Sequence, residues 1–76
     1  MSVKHEVKEE LCVLSTTKTG GCKRLCLVSW NDNAPKYDIR MWYPGEDGDL
    51  NPGKGISLSD EETKELFESL KDHFEA

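Results

Sequence analysis

Apolar and polar positions alternate along most of this chain and change to a three-to-four spacing only near its end. KYDIRMWY, residues 36–43, alternates most cleanly. Tyr37, Ile39, Met41 and Tyr43 fall on one side of an extended strand, the side expected to face the core, and Lys36, Asp38, Arg40 and Trp42 on the other. Two earlier stretches also read as strands, VKEELCVLSTT at 7–17 and CKRLCLVSW at 22–30, with the turn former Gly20-Gly21 between them. NDNAP, 31–35, is a connection made of turn residues. PGEDGDLNPG, 44–53, reads as a ten-residue loop, and KGISL, 54–58, as a short fourth strand. Short connections in a row favour an antiparallel meander.

The three-to-four spacing begins in SDEETKELFESLKDHFEA. Ser59 followed three places on by Glu62 is a capping box, and Asp60, Glu61 and Glu62 suit the positive end of a helix. Thr63, Leu66, Phe67, Leu70 and Phe74 then make one apolar stripe, which predicts a helix over about 60–74. The order β-β-β-β-α predicts an α+β domain with the helix on one face of a four-stranded sheet. The stripe has two uses open to it: covering its own sheet, or meeting a second chain.

Length makes this one domain, residues 1–76, with residues 1–6 read as a loose start. A chain of this size buries a modest core and gains stability by pairing. No apolar run approaches the length of a membrane span, and MSVKHEVKEE lacks the apolar stretch of a signal peptide, so a cytoplasmic protein with no membrane partner is expected. Net charge is −5, but the acid gathers at one end: residues 45–76 hold ten acidic and three basic side chains, and residues 22–44 hold two acidic and four basic. The middle of the chain is therefore able to present a locally positive face.

Cys12, Cys22 and Cys26 make no disulfide framework in a chain without an export signal, and read as buried, inert thiols. On a strand Cys22 and Cys26 stand about 13 Å apart, too far to share a zinc ion. His5 and His73 have no acid and nucleophile at a readable spacing, and no glycine loop of phosphate-cradling type is present. No catalytic residue, metal site or cofactor is expected, and the chain reads as something other than an enzyme.

The polar side of 36–43 holds two cations, a large ring and one acid. Cations that follow phosphates beside rings that stack on unpaired bases suit single-stranded nucleic acid. Trp30 and Lys54 extend this strip sideways. The same residues also fit a plain solvated ion-pair row with a ring packed under a guanidinium. A different class of function is a protein–protein module, using the acidic helix and exposed tryptophans.

VSWNDNAPKYDIRMWYP followed by GKGISLSDEE resembles the C-terminal single-strand-binding domain of the transcriptional coactivator positive cofactor four family, most closely its short bacterial, YdbC-like branch. The likeness covers roughly residues 22–74. It implies a strongly curved antiparallel sheet crossed by the C-terminal helix, and a homodimer with Leu66, Phe67, Leu70 and Phe74 in its interface. It also implies binding of single-stranded DNA, or RNA, with little sequence preference, in transcription or DNA metabolism, on or near the nucleoid. By resemblance Arg40 and Lys54 are phosphate-contacting residues and Trp42 and Trp30 stack on bases; Lys36 joins Arg40 and Lys54 in neutralising phosphates, with Lys23 and Arg24 widening the positive track. The Arg40–Trp42 spacing is that of the bacterial branch and places both residues on one strand face.

Overall fold

The computed structural model describes residues 4–75. Strands β1 (His5–Thr16), β2 (Cys22–Trp30), β3 (Lys36–Pro44) and β4 (Leu50–Leu58) form one antiparallel sheet in sequence order, followed by helix α1 (Asp60–Glu75). β1 starts inside the segment expected to be loose, because its first residues pair with the end of β2, His5 with Trp30 and Glu6 with Ser29. Residues 1–3 lie outside the described residues.

The loops follow from their composition. Gly20 takes a φ of 91° in the first, and Thr17 N–H donates to the Gly21 carbonyl at 2.8 Å to close it. Asn31 and Asp32 both adopt positive φ in the second, a conformation that Asn and Asp tolerate better than other side chains. The third loop is half the expected length. β4 already begins at Leu50 and takes in Pro52 and Gly53. Pro is tolerated there because β4 is an edge strand, and a register irregularity opposite Arg40 and Trp42 absorbs the missing donor.

Gly55 stands directly opposite Arg40. A Cβ at Gly55 would overlap the Arg40 side chain and the Ile39 carbonyl, so only glycine lets β3 and β4 close here. Gly55→Ala is expected to destabilise the chain by about 1–3 kcal/mol, measured as a lower urea midpoint at unchanged slope.

The sheet is tightly curled. Arg24 and Arg40 are direct partners across β2 and β3, and Trp30 is six residues further along β2. On a flat strand that is about 20 Å, yet the Arg40 guanidinium carbon lies 4.5 Å from the Trp30 ring centre. His5 and Trp42 stand at opposite ends of β2, and their ring centres are 5.5 Å apart. Three register irregularities in β1 supply part of the bend.

Curling decides which face is inside. The buried apolar side chains among the described residues are Cys22, Cys26, Val28 and Trp42, with Val7, Trp30 and Leu50 packed against them. Cys22, Cys26, Val28 and Trp42 belong to the inner face, the one that carries Asp38 and Arg40. The face expected to be core is the outer one. Tyr37, Ile39 and Met41 are half-buried there and Tyr43 is exposed.

The capping box forms as expected. Ser59 N–H donates to Glu62 Oε1 at 2.8 Å, and Glu62 N–H to Ser59 Oγ at 3.1 Å. Helix α1 touches the sheet only along β3 and β4, and none of its residues is buried. Leu66, Phe67, Leu70 and Phe74 are all exposed within one chain. The radius of gyration, 13.8 Å, exceeds the roughly 11 Å of a compact chain of this length. No helix among the described residues is long and apolar enough to cross a membrane.

The thiols differ from the expectation at one position: Cys12 is exposed, whereas Cys22 and Cys26 are buried, and all three are free. Cys12 falls where β1 changes register, which leaves its side chain outside the inner face. Burial pushes the Cys26 thiol above its ordinary value, against the opposing pull of Arg24. The Cys26 thiolate, which is the reactive form, is accordingly scarce in the folded chain. Iodoacetamide at neutral pH is expected to modify Cys12 alone, and all three only after unfolding, as read by intact mass.

Candidate nucleic-acid interface

The inner face is built from layers of arginine on tryptophan. Arg24 and Arg40 face each other across the strand pair and diverge. Arg24 lies over Trp42, its guanidinium carbon 4.6 Å from the ring centre, and Arg40 lies over Trp30. Such pairs gain from the negative face of the indole, more so when shielded from water. Like charges directly opposite one another are unfavourable, and a carboxylate attends each. Glu10 stands 3.6 Å from Arg24. Asp38 takes hydrogen bonds from Arg40 Nε at 2.5 Å and Nη2 at 2.7 Å.

Asp38 is fully buried, and Ser57 Oγ, from the opposite position on β4, donates to it at 2.8 Å. Arg40 Nη1 donates to the Gly53 carbonyl at 3.1 Å. A groove of about 370 Å³ runs between Trp30, Arg40, Pro52 and Ser57. A cleft of about 150 Å³ beside it is lined by Trp30, Asn33, Ala34, Lys36 and Ser57. Lys36 is exposed at this end and has no ion-pair partner among the described residues. Arg24 Nε, Trp30 Nε1 and Trp42 Nε1 are buried donors that find no acceptor among the described residues. Donors without partners are costly, and a ligand rich in acceptors relieves that cost.

The expected site residues separate into two groups. Arg24, Trp30, Lys36, Arg40 and Trp42 meet on the inner face. Lys23 and Lys54 lie apart from the tryptophans: they line an open groove with Ile39, Met41 and Ile56, which Arg40 also borders. Lys23 neighbours Arg24 on a strand, and neighbours on a strand point to opposite faces.

Trp42 also departs from the expectation. It is 1% exposed, lying under Arg24 and against His5, and so forms the floor of the face rather than an open stacking surface. The resemblance supplied its role, and the curl of the sheet removed its exposure. His5 is the addition that sequence reasoning missed. Its ring centre lies 5.7 Å from that of Trp30 and 5.5 Å from that of Trp42. Only the curl brings a residue so early in the chain onto both tryptophans.

A curled four-stranded antiparallel sheet with a basic–aromatic inner face, followed by one helix, makes a small α+β domain. The chain belongs to the transcriptional coactivator p15 (PC4) family, whose domain matches residues 17–69, a family of nucleic-acid binders rather than enzymes. An uncharacterized protein of Treponema pallidum (strain Nichols) is 36% identical to it over 66 residues, covering 87% of this chain and 74% of that relative.

Proposed function

We propose that this chain is a homodimeric, sequence-tolerant binder of single-stranded DNA, acting in transcription or DNA metabolism within the bacterial cytoplasm. The observation that carries this reading is the inner face itself. Two guanidinium–indole layers, an exposed lysine and three unpartnered donors sit beside a groove open to solvent. Unpaired bases offer flat faces and acceptors to such a surface, whereas duplex bases are already stacked and hidden. Lys36 neutralises phosphates at one end of the groove, and Lys23 and Lys54 extend the positive surface along the open groove that Arg40 also borders. Trp30 is the principal aromatic contact, with Trp42 as the floor beneath Arg24. The acidic helix stays away from the strand, and its stripe of Leu66, Phe67, Leu70 and Phe74 pairs two chains.

Fluorescence anisotropy of a labelled oligothymidine of about 20 nucleotides, against the matching duplex, tests the reading. Binding to the single strand that weakens with salt and exceeds binding to the duplex is expected. No binding to the single strand at low salt would sink it and turn attention to a protein partner of the acidic surface.

A further inference from the structure

We propose that Arg40 is a charge-compensated stacking platform rather than a phosphate contact, and that Asp38 and Ser57 are the positioning residues that hold it flat. This rests on the single-strand reading above and deepens it.

An arginine has five N–H donors. In Arg40, Nε and Nη2 each donate to Asp38, and Nη1 donates to the Gly53 carbonyl. One flat side of the guanidinium covers Trp30, so the other flat side is what it offers to the groove. Three of the five donors are spent, one N–H each on Nη1 and Nη2 remaining, and reaching a phosphate with the Nε–Nη2 edge would mean leaving Asp38, whose side chain is 0% exposed. A carboxylate stranded without its partner at such depth is strongly unfavourable. Ser57 adds a third donor to Asp38 from the far strand and fixes the fork from the other side. The face thus divides its tasks. Lys36, exposed and without an ion pair among the described residues, meets phosphate, and the Arg40–Trp30 pair meets a base.

Salt dependence separates the two roles, because each phosphate contact to a single strand adds about 0.7 to the slope of log affinity against log salt. Oligothymidine binding is measured at several salt concentrations for the wild type and three variants, with thermal melts confirming that each is folded. Lys36→Ala should lower the slope by about 0.7. Arg40→Lys keeps the charge but has neither fork nor flat face. It should weaken binding at least about fivefold, the loss of one stacked base, at unchanged slope. The double variant Asp38→Asn/Arg40→Gln removes the pair without changing net charge, and should behave as Arg40→Lys does.

An Arg40→Lys protein that binds like the wild type would overturn the inference. So would a slope lowered by about 0.7 in the double variant. Arg40→Lys keeps the test decisive even where the double variant fails to fold. A wild-type protein that does not bind the oligonucleotide overturns the nucleic-acid reading itself, before any variant is made.

Discussion

The Phe67→Asp/Leu70→Asp variant is expected to be monomeric and to lose its cooperative thermal transition, while the wild type sediments as a dimer and melts cooperatively. The expectation follows from how little one chain buries. Its buried apolar side chains among the described residues are two cysteines, one valine and one tryptophan. Phe67 is 60% exposed and Leu70 47% exposed, in line with Leu66 and Phe74 on the same helix stripe. Fully burying such a side chain is worth roughly 1.5–3 kcal/mol, and about half of each is still exposed. Two positions on each of two chains therefore hold roughly 3–6 kcal/mol, a large share of the stability of a small domain. A carboxylate at either position forfeits that gain and adds charge that must be desolvated. Analytical ultracentrifugation with circular dichroism reads both effects. A wild type that sediments as a monomer, with a variant that melts at the same temperature, would contradict the account.

Trp42→Ala should produce the largest loss of stability of any single truncation on the inner face. The ring is buried, lies under Arg24 and touches His5, so its removal opens a cavity that strands already in register cannot close. Such truncations cost about 3–5 kcal/mol, which lowers the melting temperature of a domain this size by roughly 12–40 °C. Trp30→Ala is expected to divide the effects differently. Trp30 is only partly buried and lines the groove, so its loss should spare most of the fold while weakening oligonucleotide binding at least about fivefold. Thermal melts beside anisotropy distinguish the two. Equal melting losses would contradict the assignment of Trp42 to the floor and Trp30 to the surface.

Much of this architecture was legible in the sequence, and the exceptions have physical causes. Helix α1 was legible because its signals are local: a reciprocal cap from Ser59 and Glu62, then four large apolar residues at helical spacing. Alternation gave β3 its two faces but could not say which would be inside. A flat sheet would bury Tyr37, Ile39 and Met41 under the helix. The curled one instead closes over Asp38 and Trp42, and the curl depends on contacts between strands. The start of β4 was hidden by Pro52 and Gly53, whose composition reads as loop. Only the edge position and the register irregularity make them strand. The separation of Lys23 from Arg24 was available from strand parity alone. The placing of Lys54 was not, because it falls inside the irregularity between the Arg40–Gly55 and Trp42–Pro52 pairs.

The most direct test of the central claim is to follow the two indole N–H signals by NMR while single-stranded oligothymidine is added. Trp30 Nε1 and Trp42 Nε1 have no acceptor among the described residues, so both report on the inner face. The account predicts that these signals, with the amides of Gly53 and Ser57, shift as the strand binds, while those of helix residues 62–74 stay in place. Shifts confined to the helix, with both indole signals unmoved, would contradict it.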